Sequence, residues 1–383
     1  MYGYVGEGRD GGTSGEYSAI FYNKSKFEVL ESGTKWLSDT PDVVSKVAES
    51  SLNRVFTYAL LKRLSDGMEI MVVNTHFEHT NDAARDRQAA VLRDFLLERN
   101  FLEIHTPKLI GAASESGADV FEVDYFDRKA YQAQSPQFYK QMAMASGFER
   151  IFEVGPVFRA EKSFTSKHTT EFTGFDLEFS YIESFRDVMK MEEELLTYTL
   201  KAVKDAYGEE IKNTFGLEVI VPTTPFPVIT LAELYDALEK EFGYTLPDEE
   251  KNDLTTEAER LSYDWVKKHY DHEFLFITDY SAEKRAFYHM RDENGVPQGY
   301  DLIWRGVEIT TGAQREHRYD QLKAQAEEKG LADDVKFYLE FFKYGCPPHG
   351  GFGLGVDRLT MLLLGQHIKE SMFLFRGPNR LNP

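Results

Sequence analysis

The spacing of apolar residues changes near residue 82. Before it, short apolar runs at 19–22, 27–30, 55–61 and 68–73 are separated by clusters of Gly, Ser, Asn and Asp, the punctuation of strands and turns. From 82 to 99, Ala84, Val91, Leu92, Phe95 and Leu96 recur at helical spacing. Asn81 or Asp82 stands where a cap belongs, and Asn100 stands at the end. Beyond this helix, strand-like and helix-like patterns alternate. Residues 152–159 and 172–181 read as two strands, and 185–203 as an amphipathic helix with Val188, Met191, Leu195 and Val203 on one face. Two helical stretches follow within 228–270. Strand patterns return at 274–278, 287–290, 301–304 and 307–310, and helices are expected over 319–328, 333–342 and from Val356 onward. Strands grouped after a hairpin, with helices elsewhere, predict an α+β fold on an antiparallel sheet, preceded by a small β-rich segment.

Composition narrows this picture. The chain has 383 residues, 42% of them hydrophobic, enough for two or three domains or for one large domain with an appendage. The formal net charge is -20, of which residues 1–84 carry -4 and the remainder -16. Such a chain has no global field that attracts nucleic acid, so RNA would have to meet a local basic patch, and DNA is not expected as a partner. The single cysteine, Cys346, allows neither an intrachain disulfide nor a cysteine-based zinc site, which fits a reducing compartment. No apolar run approaches the ~20 residues that span a membrane, and no secretory signal is visible at the start. These features lead us to expect a soluble cytoplasmic protein.

Three segments carry chemistry. In a strand, FTGFDLEFS (172–180) puts Thr173, Phe175, Leu177 and Phe179 on one face and Phe172, Gly174, Asp176 and Glu178 on the other. The first is a core face; the second is a solvated face or a site. The loop before it, AEKSFTSKHTTE, is long for a hairpin and holds Glu161, Lys162, Lys167, His168 and Glu171. An arginine ending the preceding strand (Arg159), a basic loop and an aromatic on the return strand suit a nucleoside triphosphate: arginine forks onto phosphate oxygens and phenylalanine stacks on a base. The third segment is GGFGLGVDRLTMLLLG (350–365). Glycines at 350, 351, 353 and 355 leave room for a close approach to the strand backbone. Arg358, near a helix start, opposes the helix dipole unless it serves an anion.

Taken together, FEVGPVFRAEKSFTSKHTTEFTGFDLEFSYI, GFGLGVDRLTMLL and FLEIHTPKLI resemble motifs 2, 3 and the end of motif 1 of class II aminoacyl-tRNA synthetases. SPQFYKQMAMASGFERIFEVGPVFRAE resembles the aspartyl branch in its archaeal-type form. The resemblance runs over about 85–383. It implies an ATP site of Arg159, Glu161, His168, Phe172, Gly355 and Arg358, in which Arg159 holds the α-phosphate and the attacking carboxylate. Glu161 reads the adenine there, Phe172 stacks on it, and Arg358 grips the γ-phosphate. It implies Mg²⁺ on Asp301 and Glu308. Seven residues apart, these would face opposite sides of one straight strand, unless Arg305-Gly306 supplies a turn or bulge. It also implies an L-aspartate pocket of Glu115, Ser135, Gln137, Lys140, Asp176 and Arg315. Lys140 and Arg315 hold the side-chain carboxylate, while Asp176 and Glu115 hold the ammonium. Two cations on one carboxylate reject a neutral amide. The asparaginyl branch lacks the lysine, so Lys140 argues for aspartate. The activity implied is formation of aspartyl-adenylate and its transfer to the 3′ end of tRNA, by a homodimer joined through motif 1.

The first 84 residues depart from that family, whose aspartyl members begin with an anticodon-reading OB-fold. YGYVGEGRDGGTSGEYSAIFYNKSKFEVL and VVNTHFEHTNDAARDRQA instead resemble part of the endonuclease/exonuclease/phosphatase family, with Asn74 and His76 in its N-T-H segment and Glu78 where Asp is usual. The other metal ligands and the base of that family are absent, so no nuclease activity is expected, and the fragment is expected to pack poorly by itself. Tyr280-Ser281 and Arg285-Ala286 also lack prolines that relatives often carry. Three readings stand: an aspartate–tRNA ligase, a paralogue passing aspartyl-adenylate to a small acceptor to make asparagine, and a non-catalytic fusion.

Overall fold

In the computed structural model, the alternation at 172–180 becomes the middle of a large sheet. The structure describes residues 2–36, 42–45, 53, 55–64, 69–75, 93, 96–111, 120–160, 167, 169–246, 253–372 and 374–381. The chain divides into two compact units, 1–83 and 84–383.

The first unit pairs β1 (Tyr2–Val5) with β2 (Ile20–Asn23) and builds an antiparallel meander from β3 (Phe27–Trp36), β4 (Val55–Arg63) and β5 (Glu69–Thr75). Its clustered core is small: Ile20, Ala59 and Leu61, with Val5, Tyr22, Phe27, Val29 and Val72 against them. Tyr2, Tyr4 and Phe21 stay exposed. Asn74 lies exposed on β5, where its side-chain amide donates to the Ala19 carbonyl at 2.9 Å. His76 and Glu78 fall outside the described residues.

The second unit contributes β6 (Leu102–Glu103), β7 (Leu109–Ile110), β8 (Glu122–Tyr125), β9 (Arg128–Gln132), β10 (Arg150–Phe158), β11 (Glu171–Ser180), β12 (Val228–Thr230), β13 (Phe274–Thr278), β14 (Gly299–Trp304), β15 (Val307–Gln314) and β16 (His349–Gly355). Its helices are α1 (Gln137–Ala145), α2 (Phe185–Phe215), α3 (Leu231–Phe242), α4 (Thr256–Tyr270), α5 (Tyr319–Glu328), α6 (Lys336–Phe342), α7 (Val356–Leu364) and α8 (Ile368–Ser371). Eight strands form the main sheet in the order β12-β13-β14-β15-β16-β11-β10-β6. It is antiparallel from β13 to β10, as the sequence predicts, with a parallel pair at each edge.

The back of the sheet is apolar because β11 and β16 alternate. Phe175, Leu177, Phe179, Phe352 and Leu354 pack with Leu195, Leu196, Leu200 and Val203 of α2 into the largest core. Burying one such side chain stabilises by ~1.5–3 kcal/mol. Ser184 and Asp187 form a capping box at the start of α2, and Gly216 ends it in the left-handed conformation, so the helix outruns the expected 203 by three turns. A second cluster joins α3, α4 and Ile303, and a third joins α1, α5 and α6 around Phe138 and Tyr338. The strand expected at 287–290 is reduced to one bridge, His289 to Arg315, before Asp292 turns the chain by accepting from the amides of Asn294 and Val296. Of the apolar motif 1 residues, Leu96 and Phe101 are spent on the main core, Leu102 remains half-exposed, and Leu92 and Phe95 lie outside the described residues. No helix among the described residues is long and apolar enough to cross a membrane.

One back-face residue makes stability depend on pH. Glu192 of α2 is fully buried and accepts a hydrogen bond from the Tyr300 hydroxyl at 2.7 Å. Burial outweighs that bond and pushes its carboxyl up to about 8. A raised acid pKa means that the folded state holds the proton while the unfolded state has lost it. Stability is therefore full below the ordinary range near 4.5 and declines as pH rises toward 8. Urea unfolding followed by tryptophan fluorescence should show the wild type losing stability between pH 5 and 8. Glu192→Gln should flatten that dependence, and an equally steep loss in the variant would refute the assignment.

Candidate active site

The front of the sheet opens into a cavity of about 500 Å³. The same alternation that buries Phe175 and Leu177 behind turns Phe172, Gly174 and Asp176 toward it. β10 ends at its rim, where the Arg159 guanidinium lies 5.6 Å from the Phe172 ring. The start of α1 supplies Ser135 and Gln137, β15 leads into Arg315, and β16 supplies Gly353 and Gly355. Arg358, on the first turn of α7, donates to the Glu308 carbonyl at 2.7 Å and stands 3.9 Å from its carboxylate.

The floor is a buried charge network. Lys140 of α1 has no exposed surface. Its ammonium pairs with Asp176 at 2.9 Å and Glu178 at 3.4 Å, and donates to the carbonyls of Leu177 and Phe352. Arg315 donates from Nε to Glu178 at 2.9 Å, and from one terminal nitrogen to the Gly351 carbonyl at 2.8 Å and the Gln137 side-chain oxygen at 3.4 Å. Its other terminal nitrogen makes, among the described residues, a 3.5 Å contact to His289 Nε2. Burial by itself would raise the Glu178 carboxyl, yet Arg315 and Lys140 hold it below its ordinary range. Burial, then Arg315 and Arg285, push His289 well below its ordinary value, so it stays neutral and its Nε2 accepts. Gln137 Nε2 is buried with no partner among the described residues. The glycines of β16 now have a cause. A Cβ at Gly351 would lie 2.0 Å from the Leu177 carbonyl and 2.5 Å from Glu178, and one at Gly353 would lie 3.0 Å from Asp176. What approaches that backbone is the protein's own carboxylate layer.

Asp301 and Glu308 sit on β14 and β15. Arg305 and Gly306 make the turn between them, both with positive φ. A bulge between Leu302 and Ile303 then registers Glu308 against Ile303, the alternate neighbour of Asp301. The bulge thus removes the opposite-face problem that a straight strand poses. Glu308 lines the cavity, and loss of water, then the Asp301 charge, raises its carboxyl. Asp301 is otherwise engaged. Arg285 forks onto both its oxygens at 2.9 and 2.7 Å, and Thr311 donates to Oδ1 at 2.8 Å. A hard cation therefore fits Glu308 well and Asp301 only through what remains of Oδ2.

Of the residues expected at the site, Arg159, Phe172, Gly355, Arg358, Ser135, Gln137, Asp176, Arg315 and Glu308 meet at this one cavity. Lys140 lies one layer beneath it, because two carboxylates and two carbonyls hold its ammonium there. Glu115, Glu161, Lys162 and His168 are outside the described residues. Lys167 turns inward to pair with Glu259 of α4 at 2.5 Å. The sequence reading missed Glu259, Arg285 and His289 as wall residues. Arg285 was in view, in KRAFYHM, but its partner Asp301 is 16 positions away.

The sequence model described as tRNA synthetases class II (D, K and N) matches residues 70–375, and the chain belongs to that family. The aspartate–tRNA(Asp/Asn) ligase of Aeropyrum pernix is 43% identical over 300 residues, covering 77% of this chain and 67% of the relative. The aspartyl tRNA synthetase from Entamoeba histolytica superposes with a TM-score of 0.69 at 36% identity, covering 78% of this chain and 59% of that one. The asparaginyl-tRNA synthetase from Pyrococcus horikoshii complexed with asparaginyl-adenylate superposes with a TM-score of 0.71 at 28% identity, covering 87% and 85%. The chain spans about two thirds of the length of the curated relatives it matches.

Breaking a buried ion pair by removing one partner costs ~3–5 kcal/mol. Lys140→Met should therefore lower the thermal unfolding midpoint of the second unit by several degrees, as measured by calorimetry. A midpoint unchanged from wild type would mean that Lys140 is not the counter-charge of Asp176 and Glu178.

Proposed function

We propose that the chain activates L-aspartate with ATP to aspartyl-adenylate and passes the aspartyl group to the 3′ end of tRNA, as an aspartate–tRNA ligase. The observation that carries this reading is the convergence of Arg159, Arg315 and Arg358 on one cavity around Asp176. Three guanidinium groups match three anionic centres, and one carboxylate matches an ammonium.

The division of labour follows from position. Arg159, beside the stacking face of Phe172, holds the α-phosphate and the incoming carboxylate as the adenine lies on the ring. Arg358 takes the terminal phosphate. Asp176 binds the α-ammonium. Arg315, held by Glu178 and Gln137, offers its remaining edge to the substrate's side-chain carboxylate. An amide there would leave a buried guanidinium without its anion, which is the basis of selection against asparagine. Lys140 reinforces this from below by pairing with Asp176 and with Glu178, the carboxylate that holds Arg315. Mg²⁺ would be held by Glu308, which faces the cavity, and would neutralise charge on the phosphate oxygens. The aspartate carboxylate attacks the α-phosphorus in line and pyrophosphate leaves. Catalysis is positioning plus charge stabilisation, so no nucleophilic side chain is needed. We place the enzyme in the cytoplasm and expect a homodimer.

ATP–pyrophosphate exchange tests the reading. Aspartate should drive exchange, and asparagine and glutamate should not. Arg159→Ala should lower kcat by about 10²-fold or more, the scale of losing one preorganised donor. Arg315→Gln should raise the aspartate KM far more than the ATP KM. Exchange driven equally by asparagine would sink the assignment of aspartate.

A further inference from the structure

Arg285 belongs to none of the roles above, yet it is among the most tightly built side chains of the cavity wall. Its guanidinium is nearly buried. It makes a two-pronged contact with Asp301 and stacks 3.7 Å from the centre of the Tyr280 ring. A guanidinium is never deprotonated at working pH, so this contact is a permanent ion pair. Thr311 adds a third donor to Asp301. Of the two acids expected to share a cation, one is already neutralised by a cation of the protein's own. The other, Glu308, faces the cavity.

We propose that Arg285 is a resident counter-ion that keeps Asp301 out of direct metal ligation, so that a divalent cation in this cavity is held by Glu308 and substrate oxygens. The proposal rests on the reading of this cavity as the ATP site and deepens it. The consequence is a metal site that is weak until ATP arrives. Two carboxylates on neighbouring strands would otherwise form a resident site for a hard divalent ion. With Arg285 in place, one carboxylate is spent, and an extra positive charge stands beside the entering cation. Metal affinity is thereby tied to the phosphate oxygens, and the metal enters and leaves with the nucleotide. Arg285 is a positioning residue here, acting through Asp301.

The test is Mn²⁺ binding to the full chain without nucleotide, read from the free-ion electron paramagnetic resonance signal. Arg285→Gln should bind Mn²⁺ about tenfold or more tighter than wild type. Adding Asp301→Asn to it should abolish the gain. Arg285→Lys, which keeps the charge, should gain less. In the wild-type background Asp301→Asn leaves Arg285 uncompensated beside the cation and should weaken Mn²⁺ binding, whereas Glu308→Gln should remove it. The inference is overturned if Arg285→Gln binds no tighter than wild type. Should that variant fail to fold, an Arg285→Lys variant that binds Mn²⁺ no tighter than wild type overturns it equally. The aspartate reading fails separately, through absent aspartate-driven exchange in the wild type, and a Glu308→Gln variant that binds Mn²⁺ like wild type would move the metal elsewhere.

Discussion

The site hangs on one interaction, the buried quartet of Lys140, Asp176, Glu178 and Arg315. Two cations and two carboxylates under the floor of a cavity are a liability for a protein that needs only stability. Desolvating them costs several kcal/mol per ion, and an apolar replacement is often as stable. The quartet makes sense as preorganisation. Each charge has a fixed partner, so the geometry of Arg315 and Asp176 at the cavity is already set. The neighbouring chain has adapted to it. A Cβ at Gly351 would strike the Leu177 carbonyl and the Glu178 carboxylate, and one at Gly353 would crowd Asp176. Phe352, between them, points to the opposite face and anchors the core. A glycine run, a strand of alternating character and a lysine on a distant helix are thus parts of one constraint.

Much of this was legible in sequence, for reasons that differ by element. Period-two alternation is local, so β11 and both of its faces could be read directly, although whether the acidic face met water or protein could not. The extent of α2 was misjudged because nothing ends it before Gly216, and helices extend until something stops them. The strand at 287–290 failed because its apolar residues serve a helix cluster, not a ladder. Lys140 was recognised as important, but its depth was not legible. Depth depends on two carbonyls, from Leu177 and Phe352, that come from different strands. Asp301 and Glu308 were found as a pair, whereas the bulge that aligns them is a matter of register that no residue type announces. Arg285 was hidden for the same reason: an ion pair across 16 positions leaves no periodic trace.

The same sheet separates two demands that conflict. Its back carries the packing and even tolerates an acid, Glu192, whose proton burial retains. Its front carries charged groups, and Lys140, Asp176, Glu178 and Arg315 are each paired there with an opposite charge. The difference lies in partners, since both faces are buried. Glu178, between two cations, is held low, while Glu192 is driven high by burial, which its bond from the Tyr300 hydroxyl only partly offsets. Identical side chains on facing elements thereby become a permanent anion and a neutral hydrogen-bonding group.

This local control explains how a chain of net charge -20 accommodates a polyanionic nucleotide. Beyond the ~8 Å screening length of physiological salt, the overall acidity is felt only weakly inside the cavity. Arg159 and Arg358 line that cavity together with Glu308. The lining sets opposite charges side by side: Arg159, Arg315 and Arg358 share the cavity with Asp176, Glu308 and Asp357. For a macromolecular polyanion such as tRNA the balance is harsher, because most of its surface must approach an acidic protein. A local patch of basic side chains, such as the arginines that line the cavity, then matters more than the net charge of the chain.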